Sequence, residues 1–223
     1  MLRTFINEMP YERWPIFEFV RRSADRLPAG SDVLDAGAGN APYRELFEHT
    51  SYVTMDWDGS ANEGAATSDI IASAESIPVA DRSFDAVLLT QVLEHVPSPT
   101  IVLRELLRVL RPGGFLFLTA PLVWEVHEAP FDFYRYTEHG LEHLLHHAGF
   151  TKVDVVPRND CFTTLAQLMN NVSWIVETDP SSDDRHAEAA QILRRLAGEV
   201  ATLAPLDPGR VLPLGYAVTA HRP

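Results

Sequence analysis

Helical and extended hydrophobic patterns alternate along the first two thirds of this chain. Trp14 to Leu27 reads as an amphipathic helix stopped by Pro28-Ala29-Gly30. A short apolar strand, Asp32 to Asp35, runs into Ala36-Gly37-Ala38-Gly39, followed by a helix around Tyr43 to Glu48 and a strand from Tyr52 to Asp56. Phe84 to Thr90 (FDAVLLT) is apolar on both of its faces, the mark of a buried strand. Pro99 to Leu110 is a strongly periodic helix closed by Arg111-Pro112-Gly113-Gly114, and Phe115 to Thr119 is the next strand. A helix from Thr137 to Ala148, capped by Gly149, and a strand from Lys152 to Val156 complete the series. Strand–helix alternation with short turns predicts an α/β fold, a parallel sheet covered on both faces.

The pattern changes after residue 158. Asp160 to Val176 and His186 to Leu203 are predicted helices joined by an acidic linker, Glu177 to Asp184, and Leu214 to His221 is a final strand. Each helix alone is too short to bury a core, so the pair is expected as an insertion before the last strand. Its buried side is expected to carry Phe162, Leu165, Leu168, Met169, Trp174 and Ile175. One domain over 1–223 is therefore expected: a helical segment (1–30), a ligand-binding core (31–158), the helical cap (159–205) and the closing strand (206–223).

Composition narrows the function without naming it. With 46% hydrophobic and 22% charged residues, the 223-residue chain is of ordinary globular make-up. Its net charge of −13, and 18 scattered cations of which only Lys152 is a lysine, argue against a nucleic-acid partner. The single cysteine, Cys161, excludes an intrachain disulfide and any cysteine metal cluster. Met1 to Pro10 lacks the apolar core of a signal peptide, and the apolar run Phe115 to Trp124 is interrupted by Thr119 and Pro121. A cytoplasmic protein without membrane insertion is expected.

The chemistry begins at Asp35-Ala36-Gly37-Ala38-Gly39, between a strand and a helix. Glycines there let the backbone turn sharply and approach a ligand. The acidic residue precedes the glycines, and the third glycine of a dinucleotide fingerprint is missing, which disfavours a nicotinamide-dependent oxidoreductase. A carboxylate at the strand end suits a cationic amino-acid ligand better than a pyrophosphate. Asp56, at the end of the second strand, can accept both hydroxyls of a ribose.

These segments, with AESIPVADRSFD (Ala74 to Asp85), LEHV (Leu93 to Val96) and LRPGGFLFLTAP (Leu110 to Pro121), resemble the successive motifs of class I S-adenosylmethionine-dependent methyltransferases. The small-molecule branch related to ubiquinone and menaquinone methyltransferases is the most similar, over residues 30 to 157. The resemblance implies a Rossmann-like, doubly wound, mostly parallel seven-stranded sheet with a final antiparallel strand. It implies Asp35, Gly37 and Gly39 around the amino-acid part of S-adenosylmethionine, Asp56 on the ribose and Trp57 on the adenine. Ser73, Ala74 and Glu75 would edge the adenine, Thr90 and Gln91 the floor, and His95 the pocket wall. Two positions depart from the family pattern: Ala41 stands where relatives often have a third glycine, and Ser73 where an aspartate commonly meets the adenine.

The acceptor side is expected in the loop Trp124 to Thr137, beyond the strand ending at Pro121. His127 is the candidate base, since its unperturbed pKa lies near neutrality. Asp132 is expected to orient it or bind substrate, and Tyr134 and Tyr136 to hydrogen-bond the acceptor. HEAPFDFYRYT also resembles segments of bacterial methyltransferases of sugar and natural-product pathways. His139, His143 and His147 share one helix face, yet no cysteine or carboxylate completes a metal set there, and methyl transfer needs none. The expected activity is O- or N-methylation of a small molecule, releasing S-adenosylhomocysteine. A non-catalytic binding module and a protein methyltransferase are the alternatives, and the helical insertion is a possible homodimer surface.

Overall fold

In a computed structural model, describing residues 10–59, 63–209 and 211–223, the sheet is built from runs buried on both faces. Strand β1 (Asp32–Ala36) and strand β4 (Phe84–Thr90) pair side by side and in parallel. Leu34, Val87 and Leu89 point to one face, Val33, Ala86 and Leu88 to the other, and all six are fully buried. Side chains of successive strand residues point to opposite faces, so burial of both faces demands the continuous apolar runs seen in the sequence. With β2 (Ser51–Asp56), β3 (Ile70–Ile71), β5 (Leu110–Pro121), β6 (Thr151–Arg158) and β7 (Gly215–His221), the order is β3-β2-β1-β4-β5-β7-β6. Strand β7 runs antiparallel to both of its neighbours, and the other pairings are parallel. The strand order reverses between β1 and β4, and such switch points open a crevice at the carboxyl ends of the strands.

Helix α1 (Pro10–Ala24) covers one face through Ile16 and Val20, and helices α2 (Pro99–Val109) and α3 (Glu138–Ala148) cover the other. The buried residues of α2, Val102, Leu103, Leu106 and Val109, form one stripe at helical spacing. Thr137 caps α3 by accepting from the Gly140 amide at 3.1 Å, and Gly149 ends it at φ +109°, a left-handed conformation that costs glycine least. Thr137→Ala is expected to lower stability by about 1 kcal/mol, seen as a lower urea midpoint at unchanged slope. His139, His143 and His147 lie on the exposed side of α3.

Three sequence expectations need correction. The segment 43–48 is a single 3-10 turn, Arg44–Phe47, because Tyr43 and Phe47 are driven into the core and no second apolar turn follows. The Arg111–Gly114 turn lies within β5: Leu110 pairs with Phe84 and Phe115 with Ala86, leaving those four residues as a bulge that Arg111 pins to Asp32 and Asp85 at 2.8 and 2.7 Å. The third concerns helices α4 (Cys161–Thr178) and α5 (Asp184–Ala201), which begin with capping boxes at Asp160 and Asp183. The side of α4 that is buried carries Thr164, Ala166, Gln167, Asn171 and Ser173, while Leu165, Val172, Trp174 and Ile175 are exposed, Trp174 at 64%. Phe162, Leu168 and Met169 are half-buried. The cap therefore turns its polar stripe inward.

The expectation for Met1 to Pro10 falls on residues that, Pro10 apart, lie outside those described. Among the described residues no helix is long and apolar enough to cross a membrane.

Candidate functional site

At the switch point, Gly37 and Gly39 take φ of +76° and +52°, and the amides of Gly37 and Ala38 donate to the Met55 carbonyl at 2.8 and 3.0 Å. A Cβ on Gly37 would overlap the Val92 side chain, so both the turn and its packing demand glycine. Asp56 ties the turn from below: Oδ2 accepts from the Gly39 amide at 2.7 Å and Oδ1 from the Trp57 amide at 2.8 Å. Asp35 is buried, its Oδ2 accepting from the Tyr52 hydroxyl and its Oδ1 without a partner among the described residues. Burial pushes its pKa up to about 7; the Tyr52 hydrogen bond and Arg44 oppose this, and the neighbouring Asp56 charge adds to it.

A cleft of about 450 Å³ opens above this turn. Gly37, Asp56, Trp57, Ser73, Ala74, Glu75 and His95 line it, bringing together seven of the eleven positions implied for the donor site. Asp35, Gly39, Thr90 and Gln91 are not among its lining residues; Gln91 instead donates from Nε2 to Thr119 Oγ1 at 2.9 Å. Phe131 joins the lining from the far loop, its ring edge-on to Trp57 with 5.0 Å between centroids. Ser73 Oγ accepts from the Glu75 amide at 3.2 Å.

The loop 124–137 is stapled by Asp132 and Arg135. Two parallel guanidinium bonds, at 2.6 and 2.8 Å, join them, and Asp132 also accepts from the His127 amide at 2.9 Å. The Arg135 pairing holds the Asp132 carboxyl well below the usual range, despite its burial. His127 stands with Nδ1 3.1 Å from the Glu125 carbonyl and 3.5 Å from Asp132, its ring edge-on to His95 at 4.7 Å. The loop 124–137 and the cleft thus meet at this pair of histidines. The two tyrosines are committed elsewhere: the buried Tyr136 donates to the Leu93 carbonyl at 2.8 Å, and Tyr134 to the Pro97 carbonyl at 3.0 Å.

Sequence reading missed a group of buried polar residues beside this loop. Glu94 is fully buried, neither of its carboxylate oxygens has a hydrogen-bond partner among the described residues, and burial pushes its pKa up to about 8. Arg158, at the end of β6, is buried with Nε and Nη1 unpartnered, and burial depresses its pKa. Glu12 of α1 is buried with its pKa raised by burial, and the Arg158 charge opposes that shift. From α4, Gln167 donates to Asn171 at 2.6 Å and Asn171 to Glu125 at 2.7 Å, while Thr164 Oγ1 and Gln167 Oε1 are unpartnered. A charged residue between Leu93 and His95 was a visible signal for Glu94; nothing local marks Arg158.

Comparison with known proteins bears on the family and the fold. Residues 34–118 match the methyltransferase domain family. An uncharacterized methyltransferase of Mycobacterium ulcerans is 36% identical over 126 residues, 52% of this chain and 47% of that protein. The chain thus matches about half the length of such relatives. A SAM dependent methyltransferase from Archaeoglobus fulgidus superposes with a TM-score of 0.60 at 16% identity, over 98% of each chain. The [4+2]-cyclase SpnF superposes with a TM-score of 0.58 at 22% identity, over 91% of this chain and 81% of its own. These superpositions show a shared fold, and a cyclase among them shows that the fold alone does not fix the reaction. Residues 34–118 of this chain thus match the methyltransferase domain family, and the whole chain has the Rossmann-like fold seen in S-adenosylmethionine-dependent methyltransferase structures.

Proposed function

We propose that this chain transfers a methyl group from S-adenosylmethionine to an oxygen or nitrogen of a small polar acceptor, of the sugar or natural-product kind. The carrying observation is the junction at His95: the donor cleft and the loop bearing His127 share one wall. The donor fits on one count: Asp35, two residues before the Gly37 that lines the cleft, is a buried carboxylate whose Oδ1 has no partner among the described residues. When bound, S-adenosylmethionine supplies an electrophilic methyl carbon on a sulfonium, and leaves as the thioether when the acceptor bonds to that carbon.

Asp35 receives the ammonium of the donor's amino-acid part, Asp56 accepts from the ribose hydroxyls, and Trp57, Ser73, Ala74 and Glu75 border the adenine. His127 takes the acceptor's proton, held in orientation by the Glu125 carbonyl and by Asp132. The inward stripe of α4 supports a polar acceptor, since Thr164, Gln167 and Arg158 keep hydrogen-bonding capacity that a buried apolar ligand would leave unmet. Positioning of the acceptor supplies most of the remaining catalysis.

Titration with S-adenosylhomocysteine across pH tests the donor site. A carboxyl with pKa about 7 in the free protein is neutral below that pH and must lose its proton to receive an ammonium. Affinity is therefore expected to be level above pH 7 and to fall about tenfold per pH unit below it. The groups facing Asp35 are Tyr52 and Asp56 from β2 and Arg44 from the 3-10 turn; Asp35→Asn is expected to flatten the profile. In the absence of ligand the sign is that of a raised carboxyl: its contribution to stability is complete below its ordinary pKa and is lost as pH rises through 7. Absence of S-adenosylhomocysteine binding by folded protein would overturn the proposal, as would binding without turnover against a broad set of hydroxyl and amine acceptors.

A further inference from the structure

The pocket wall beside His127 contains two further groups, Glu94 and His95, that methyl transfer by an imidazole base does not require. Glu94, His95 and His127 each offer one ligating atom, and the three atoms lie within 4.8 Å of one another. His95 Nε2 is 3.9 Å from Glu94 Oε1. We propose that Glu94, His95 and His127 bind one divalent transition-metal ion of the zinc or cobalt kind.

Three observations carry this. First, both imidazoles are pre-set as ligands. A carbonyl oxygen can only accept, so the Phe131 carbonyl, 2.7 Å from His95 Nδ1, places the proton on that nitrogen. The Glu125 carbonyl, 3.1 Å from His127 Nδ1, does the same for His127. Each ring is left with a bare Nε2 lone pair. Anchoring of the outer ring nitrogen by a carbonyl or carboxylate is the usual arrangement behind metal-bound histidines, and Asp132 at 3.5 Å strengthens it at His127.

Second, the Glu94 carboxylate is fully buried, and neither oxygen has a hydrogen-bond partner among the described residues. A buried carboxylate is ordinarily paired, hydrogen-bonded or bound to a metal. Third, the donor set has the right composition: two imidazoles and one carboxylate, with further positions open, suit zinc and its neighbours in a catalytic site. Bonds of about 2.1 Å place tetrahedral ligand atoms roughly 3.4 Å apart. The three atoms reach that spacing by closing in on the order of 1 Å, within the reach of side-chain torsions.

The ion would change the chemistry of the proposed reaction. An acceptor hydroxyl bound to it would be acidified, as zinc-bound water is, and its proton would pass to solvent. His127 then serves as a ligand and the ion does the work otherwise assigned to its free nitrogen. This consequence rests on the methyl-transfer reading; the site itself does not.

The chelator-treated 223-residue chain, titrated by calorimetry with Zn²⁺ and by visible absorption with Co²⁺, tests the proposal. One ion per chain is expected, with Co²⁺ bands of a low-coordinate nitrogen and oxygen site. Glu94→Gln and His127→Ala are each expected to weaken binding by at least the 10- to 100-fold that loss of an outer-sphere partner costs. A His143→Ala/His147→Ala double variant is expected to bind like the parent. S-adenosylhomocysteine binding by each variant reports that it is folded. No metal uptake would overturn the proposal, as would uptake indifferent to both Glu94→Gln and His127→Ala, or uptake lost in the α3 double variant. S-adenosylhomocysteine binding without metal uptake would remove the ion alone; metal uptake without S-adenosylhomocysteine binding would remove the donor reading alone.

Discussion

His127→Ala is expected to lower kcat by about 10²- to 10⁴-fold, the span for loss of a positioned proton-transfer group. The dissociation constant for S-adenosylhomocysteine is expected to stay within about twofold, as for a group that acts in the transition state rather than in donor binding. The separation follows from where the side chain stands. Asp132 is held by Arg135 and by the His127 backbone amide, and neither contact uses the imidazole. The loop therefore keeps its staple when the ring is removed. His127 does not line the donor cleft, whose wall at this point is His95. Removal of the ring strips proton transfer, or an ion's ligand, from the acceptor side while Asp56, Trp57 and the glycine turn are untouched. Steady-state kinetics beside a calorimetric titration checks this; equal loss of turnover and donor affinity, or no loss of turnover, would refute the assignment.

The glycine turn and the carboxylate that ties it were legible in the sequence because their constraints are local. Gly37 takes a positive φ against Val92, and Asp56 reaches the Gly39 amide seventeen positions back. Both needs appear as residue types at fixed distances along the chain. The sheet was legible for a similar reason, since strands buried on both faces must be apolar throughout. Strand β3, only Ile70–Ile71, is too short to show a period. Helix α4 misled because hydrophobic spacing gives a helix its apolar face, not the direction in which that face points. Here Thr164, Gln167 and Asn171 satisfy the same helical spacing and turn inward, where Asn171 donates to Glu125 of the loop 124–137. Arg158 and Glu94 are 64 positions apart and meet only through the fold. The tyrosines show the converse limit: a side chain rich in chemistry, Tyr136, is absorbed by the core through Leu93.

Asp56→Ala is expected to weaken S-adenosylhomocysteine binding by about 1–3 kcal/mol, the scale of a lost buried hydrogen-bonding group. That corresponds to roughly 5- to 150-fold in the dissociation constant. Two effects act together. The variant loses the acceptor proposed for the ribose hydroxyls. It also leaves the amides of Gly39 and Trp57 without their carboxylate partner, so the turn beneath the cleft is no longer tied to β2. The second effect reaches the free protein, and a lower melting temperature is expected alongside the weaker binding. Asp56→Asn separates them. Its amide oxygen can still accept from one of the two backbone amides, so most of the stability is expected to return, while the other amide and the charge-assisted ribose bond stay lost. If both variants bind S-adenosylhomocysteine as the parent does, the ribose lies elsewhere in the cleft and Asp56 serves only to hold the turn. A large loss for alanine with little loss for asparagine would also assign Asp56 to the turn. Loss of affinity in both, with stability lost chiefly in alanine, places the carboxylate on the ligand.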